Sequence, residues 1–432
     1  MVNTIKSGIL KDPKSTNRIF TLIFIMMAIF LNQSSVIFGI NISISDFLCV
    51  FCLIALAYKN KLLFPIAPTI FFLFLSAVLL FTATFYVPSK FYYNPEINGI
   101  LIAYFKLAVV FVYFIVGYSA PYLNFSLIEK TVKWYSIFAL LIGLLGIVFT
   151  VLNIQLFSEV LFMGKIRFRG FMNDPNYFSI IMVSALVYFS RERNIKVWRQ
   201  VLHYLLVFIA ILISGSKTGL ITLLCYSIFR ILEFIFKSPH RGGFSNKYII
   251  LVVLFIFILI GFTGVIQDLI AYLATIIPAF ARIQFLFTDF YAAISSSGSS
   301  RESAWQMAIE IIKASPIIGI GGGTYLGIVI SIWGSGTVAH NTYLQLFSEW
   351  GIPLTMIFLS YIFYKVLKTS IYSSNDLNIS LILRDIIIVF LLGSMAISLN
   401  NAKMFWLFVG VIEFITTVRR KRKQTFINCG QL

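Results

Sequence analysis

Runs of about eighteen or more apolar residues recur from one end of this chain to the other. Each is long enough to cross a hydrocarbon core of about 30 Å. A spanning segment must satisfy its own backbone hydrogen bonds, so helices are predicted. About twelve spans are predicted, roughly at 19–38, 43–57, 64–86, 100–119, 133–152, 175–190, 200–214, 218–236, 248–267, 341–364, 382–399 and 402–418. The fold class expected is an all-α membrane protein, a single polytopic domain over residues 1–432. A large, partly helical loop at 268–340 lies between the ninth and tenth spans, and a basic tail occupies 419–432. The composition agrees: 59% hydrophobic against 12% charged, a balance that no soluble domain carries. Residues 1–18 read as a polar, basic leader without a cleavage site. No internal repeat stands out.

The formal net charge is +18. In a soluble protein that would suggest nucleic acid; here topology accounts for it, and no nucleic-acid partner is expected. With the N-terminus inside and loops assigned alternately, 24 of the 34 basic residues fall on the inside, including RRKRK at 419–423. That is the bias of cytoplasmic loops, and it sets both termini in the cytoplasm. Nine basic residues remain outside, and Lys106 falls within a span. Cys49 and Cys52 form a CxxC, but inside an apolar run (DFLCVFCLIALAY), so they read as small membrane-helix residues. Hydrocarbon suppresses the thiolate that redox or zinc chemistry needs.

The outside cations break the charge rule and therefore carry information. Lys165, Arg167 and Arg169 cluster in GKIRFRGFMNDPNYF. They are either tolerated charges at lipid headgroups or an anion site, where the planar guanidinium fork meets phosphate oxygens bidentately. Asp174 before Pro175 reads as the N-cap of the sixth span, structural rather than catalytic. Arg301 follows Ser299 and precedes Glu302 in an S-x-x-E capping box, so it begins a helix. A cation there is mildly unfavourable, by about 0.3–1 kcal/mol. Helix stability does not explain it, and Trp305 four residues on could stack on the guanidinium. That helix is predicted to end near Ser315, before Pro316. GIGGGTY (319–325) reads as a flexible turn in preference to an oxyanion cradle. Lys217, in SGSKTGL, is either a further cation for an anionic substrate or a snorkelling lysine.

His340 opens the tenth span in AHNTYLQLFSEWG. It is the one histidine expected outside, and it follows directly on the loop that carries Arg301. Asn341, Gln345 and Ser348 continue at i, i+4 and i+7 from Asn341, and Glu349 adds an ionisable group. Such residues are costly in lipid and face a bundle interior or wet cavity. A lone histidine makes a poor zinc site, so no metal is expected; general base is the better role. Glu349 is too far along the helix to touch His340, at about 13 Å.

The ordered stretches RFRGFMNDPNYF, SGSKTGL, SSRESAWQMAIEIIKASPIIGIGGGTY and AHNTYLQLFSEWGI resemble the O-antigen ligase and O-antigen polymerase family. The resemblance covers residues of about 165–355. It implies a multi-pass glycosyltransferase of the bacterial inner membrane, working on the periplasmic face. Its donor would be an oligosaccharide on undecaprenyl pyrophosphate, its acceptor a sugar hydroxyl on another lipid-linked unit. Membrane lipids and chain-length regulator or flippase proteins are the expected partners, and no cofactor is expected. The resemblance implies that Arg169 or Arg167 and Arg301 hold the pyrophosphate while His340 activates the acceptor. Lys217 stands where the family often has arginine. It keeps the charge without the fork, which puts a tight phosphate role in doubt. Asn341, Gln345, Glu349, Trp305 and Asp174 are expected to support the site. A polymerase is preferred to a ligase that moves finished glycan onto lipid A-core, because nothing specifies an acceptor outside the repeat unit. A flippase of lipid-linked sugar would not need the large outside loop and would show repeated halves.

Overall fold

A computed structural model describes residues 18–37, 40–154, 157–192, 195–237, 263–288, 301–334, 336–371 and 378–429. The helices are α1 (Arg18–Phe30), α2 (Ile44–Tyr58), α3 (Ile66–Phe91), α4 (Ile97–Ser119), α5 (Ser126–Val151), α6 (Pro175–Arg191), α7 (Val197–Ser214), α8 (Lys217–Lys237), α9 (Thr263–Ile276), α10 (Ala281–Thr288), α11 (Arg301–Ala314), α12 (Tyr325–Trp333), α13 (Thr342–Ile371), α14 (Asn378–Gly393) and α15 (Lys403–Cys429). Among the described residues the fold is almost wholly helical, that of a multi-pass membrane protein. Among the described residues, six helices are long and apolar enough to cross a membrane: α3, α4, α5, α7, α8 and α13. The expected spans at 19–38, 43–57, 175–190 and 382–399 are occupied by the shorter helices α1, α2, α6 and α14, and the one at 402–418 by α15. The expected ninth span, apart from its last residues, lies outside the described residues, as does Ser299.

α6 organises the bundle. Phe178 to Val187 are buried without a break, the pattern of a helix enclosed on all sides. It packs against α5, α7, α8 and α14. The most extensive contact is between α4 and α15, and glycine makes it possible. A β-carbon at Gly117 would stand 2.0 Å from the Leu407 carbonyl oxygen, and one at Gly410 would stand 2.1 Å from that of Phe114. Small residues let backbones approach where no hydrophobic force between helices exists.

Two small ribbons depart from an all-helical chain. Ser35–Ile37 (β1) pairs antiparallel with Ile40–Ile42 (β2), and Phe162–Met163 (β3) with Arg167–Phe168 (β4). The second ribbon matters for the site. Gly164 and Lys165 turn it with φ of 60° and 61°. Phe168 is buried and would collide with any β-carbon on Gly146 of α5. Edge contacts to Phe162 and Phe178 fix its ring. With Phe168 anchored in the core, its neighbour Arg167 must point the other way.

The glycine stretch does something the turn reading did not foresee. α13 breaks at Gly351 (φ 76°, ψ 166°), two residues before Pro353. The break frees the carbonyls of Ser348 and Glu349, which accept from the N–H groups of Ile320 (2.9 Å) and Gly321 (2.9 Å). The Ile352 N–H donates back to the Pro316 carbonyl at 2.7 Å. Irregular backbone at membrane depth is tolerated where protein satisfies it in this way. On its other side Gly321 lies against Ala83, within a π-helical turn of α3 over Thr82–Tyr86, and Gly323 lies against Gly99 of α4. The three glycines at 321–323 thus thread backbone between helices, and the Gly321 N–H is already engaged by Glu349.

Candidate active site

Four helix N-termini meet at one end of the bundle, and each brings a charged or polar side chain with it. α6 is capped by Asp174, whose Oδ1 accepts from the N–H groups of Asn176 (2.7 Å) and Tyr177 (3.2 Å). Ser216 stands just before α8, accepting from the Gly219 N–H at 3.0 Å, and Lys217 is its first residue. α11 begins at Arg301. Before α13, Asn341 accepts from Tyr343 (2.9 Å) and Leu344 (3.2 Å), with His340 preceding it. Helix N-termini carry partial positive charge, and together they favour an anion.

Arg167 is built into this cluster. Its Nε donates to the Ser214 carbonyl (3.0 Å), and one Nη donates to Asn176 Oδ1 (3.2 Å), which also accepts from Ser216 Oγ (3.0 Å). Burial lowers its pKa to about 10, with Arg282 and Arg301 pushing the same way and Asp174 opposing them. It stays protonated near neutral pH. Arg169 goes elsewhere. Its guanidinium donates to the carbonyls of Glu159 (2.8 Å), Val160 (3.2 Å) and Asn173 (3.4 Å), so it ties its own loop together.

Arg301 is pushed below its ordinary range by burial; Asp174 opposes this and Arg282 adds to it. Arg282, at the start of α10, is therefore a member of the cluster that the sequence did not single out. The turn Pro278–Phe280 carries it there, with Ala279 packed on Gly215 beside Arg167. Lys217 lies within the field of Arg282 and Arg301. Among the described residues, neither Arg282 nor Arg301 has an ion-pair partner. Trp305 makes no ring contact with Arg301 among those residues; its indole N–H is buried and unpartnered.

His340 adopts φ 46°, uncommon for a non-glycine residue and a form of strain that clusters at functional sites. Its backbone is held there by the next residues. Thr342 Oγ1 donates to the Ile397 carbonyl (2.8 Å) and accepts from Leu399 N–H (2.8 Å), and the Thr342 N–H donates to the Ser394 carbonyl (2.9 Å). Burial and then the charge of Arg301 push the imidazole below its ordinary 6.5, with Asp174 opposing. The ring is neutral near pH 7 and free to take a proton. Gln345 and Glu349 face each other one turn apart, Nε2 to Oε1 at 2.9 Å. They line a separate cavity of about 280 Å³ that also touches Val338, two residues before His340. No group of three His, Cys, Asp or Glu side chains clusters among the described residues.

Residues 202–359 match the family described as O-Antigen ligase. The matched stretch runs from α7 into α13 and contains Lys217, Arg282, Arg301 and His340; Arg167 lies before it. It supports kinship with the O-antigen ligases and polymerases as a group, and it does not separate the two. No curated protein matches the chain.

Proposed function

We propose that the chain is a polymerase of lipid-linked oligosaccharides in the bacterial inner membrane. It joins the glycan of one undecaprenyl-pyrophosphate carrier to a sugar hydroxyl on another, at the periplasmic face. The observation that carries this reading is the convergence of Arg167, Arg282, Arg301 and Lys217, with His340 within the field of Arg301. The cations hold the donor's pyrophosphate. His340 takes the proton of the acceptor hydroxyl, whose oxygen attacks the anomeric carbon while the C1–O bond to phosphate breaks. The electron pair leaves with the polyprenyl pyrophosphate. Fixed cations meet that growing charge, a contribution of about 3–4 kcal/mol per well-placed donor. One displacement with one base predicts inversion.

A second reading, a ligase moving finished glycan to lipid A-core, is favoured by the description of the matching family. A chromosomal deletion separates them. Loss of the polymer with single capped repeat units left behind supports the polymerase. Polymer accumulating on undecaprenyl pyrophosphate supports the ligase. Complementation with His340→Ala should give the deletion pattern at normal protein levels; retained extension removes His340 as the base.

A further inference from the structure

A polymerase handles two lipid carriers at once, and the cation cluster accounts for one. A second place with matching chemistry lies beside α4. A cavity of about 350 Å³ between α2 and α4 is walled by Phe47, Val50, Phe105, Val109 and Val112. The 280 Å³ cavity near His340 is more polar, with Gln345, Glu349, Asn400 and Asn401 in its wall. The two cavities share three residues: Lys106, Val110 and Asn401. Lys106 thus stands where an apolar groove meets a polar chamber. It lies nine residues into α4, about 14 Å along the helix.

Lys106 is not used up by the fold. Lys403, its neighbour in the apolar cavity, is paired with Asp46 at 2.5 Å, and Asp46 also accepts from Tyr113 (2.9 Å) and the Ser43 N–H (2.8 Å). Among the described residues Lys106 has no hydrogen-bonded or ion-pair partner; Glu349 acts on it only through the field. Across the chamber Gln345 Oε1 is buried without a donor. Intramembrane cations are expensive and mark substrate paths. The order along the two cavities is apolar groove, cation, then polar chamber reaching Val338 beside His340.

We propose that the joined cavities are the site of the acceptor carrier, a polyprenyl-diphosphate-linked saccharide. The isoprenoid chain lies in the apolar groove and the diphosphate rests on Lys106. The sugars run along Gln345 and Asn401 towards His340. Its role as the acceptor site rests on the polymerase reading; its chemistry as a polyprenyl-diphosphate site does not.

The test uses the full-length protein in nanodiscs, with undecaprenyl diphosphate as the probe and native mass spectrometry to count bound carriers. Wild type should hold two. Arg301→Met should lose one of them, and Lys106→Met/Glu349→Gln the other, its affinity falling about ten- to hundredfold as for one lost charge-assisted contact. The double variant is neutral at the junction, so an effect cannot come from stranding Glu349. Lys106→Arg should restore binding. If the double variant does not reach the membrane, Asn401→Asp, which sets a carboxylate beside Lys106, should show the same loss. Two carriers bound with wild-type affinity in the double variant would overturn the proposal, reducing Lys106 to a counter-charge for Glu349. So would a second carrier displaced equally well by dioleoylphosphatidylglycerol, which would make the groove a general anionic-lipid cleft. The two readings fail separately. A Lys106-dependent carrier in a protein whose His340→Ala form still extends glycan sinks the catalytic reading alone. Extension lost in His340→Ala with only one carrier ever bound sinks the acceptor site alone.

Discussion

Arg167 and Arg169 stand two residues apart and end in different surroundings. Phe168 between them is locked into the core, which turns Arg167 to the cation cluster, while Arg169 closes on three carbonyls of its own loop. Arg282 joins the cluster from a stretch, AFARIQF, in which nothing marks it out. Arg282→Ala should therefore raise the donor KM several-fold with little change in protein yield, whereas Arg169→Ala should lower the yield. Titration of radiolabelled donor against both variants checks this, and an unchanged donor KM in Arg282→Ala removes that residue from the site. His340 gives the second expectation at this scale. Its pKa lies below the ordinary imidazole value because of burial and then Arg301. Protonation destroys the base, so activity should fall only as pH drops through that lowered value. The acid limb of kcat/KM should lie below that of free imidazole. Arg301→Lys keeps the charge and the limb but loses the fork, and with it about tenfold or more in rate. Arg301→Gln removes the charge and should move the limb upward. A limb that does not move between the two variants would falsify the coupling.

At the scale of elements, the break in α13 is the feature on which the site depends. It lets Pro316 to Gly321 lie against Ser348 to Ile352, and so fixes the start of α13, and His340, relative to α3 and α4. Gly351 sits in a region of φ/ψ that is essentially glycine-only, and a β-carbon there would meet the Ile317 carbonyl oxygen at 2.2 Å. Gly351→Ala should cost about 1–3 kcal/mol from backbone strain alone. A lower thermal midpoint in detergent, with less protein in the membrane, is the expected readout; a wild-type midpoint would mean that the break is not constrained. Long apolar segments and local caps were legible in the sequence: the six spans, Asp174 before Pro175, the end of α11 at Ala314. Their signals lie within a few residues of one another. What the sequence did not disclose depends on contacts far apart in the chain. The glycines at 321–323 read as a turn, and Gly322 and Gly323 form one; what did not show was its contacts, because Ala83, Gly99 and Glu349 come from three other elements. Trp305 read as a stacking partner for Arg301 because they share a helix face; its indole N–H is buried without a partner.

Across the whole molecule, the two ends of the same helices treat charge in opposite ways. α6 and α8 begin at the cation cluster, and at their far ends Arg191, Arg230 and Glu233 meet Arg384 and Asp385 of α14 in a buried network. There every cation has a carboxylate at hydrogen-bonding distance, and Tyr226 adds its hydroxyl to Asp385 at 3.2 Å. Removing one partner from such a network costs several kcal/mol, so pairing there serves the fold. At the other end Arg167 and Arg301 lie in the field of Asp174, which caps a helix, and neither has an ion-pair partner among the described residues. Buried charges that are paired at one end, and guanidinium groups of Arg167 and Arg301 without an ion-pair partner among the described residues at the other, leave room for an anion brought by a ligand. The same arithmetic bears on metals. On the proposed reading the clustered cations would neutralise a pyrophosphate without a divalent ion, and a bound ion would have to compete with them for the same oxygens. Extension by the purified protein should therefore proceed unchanged in EDTA and should weaken with added salt, which screens the cation field over a Debye length of about 8 Å at physiological strength. Full inhibition by EDTA, reversed by magnesium or manganese, would mean that the cluster alone does not carry the leaving group.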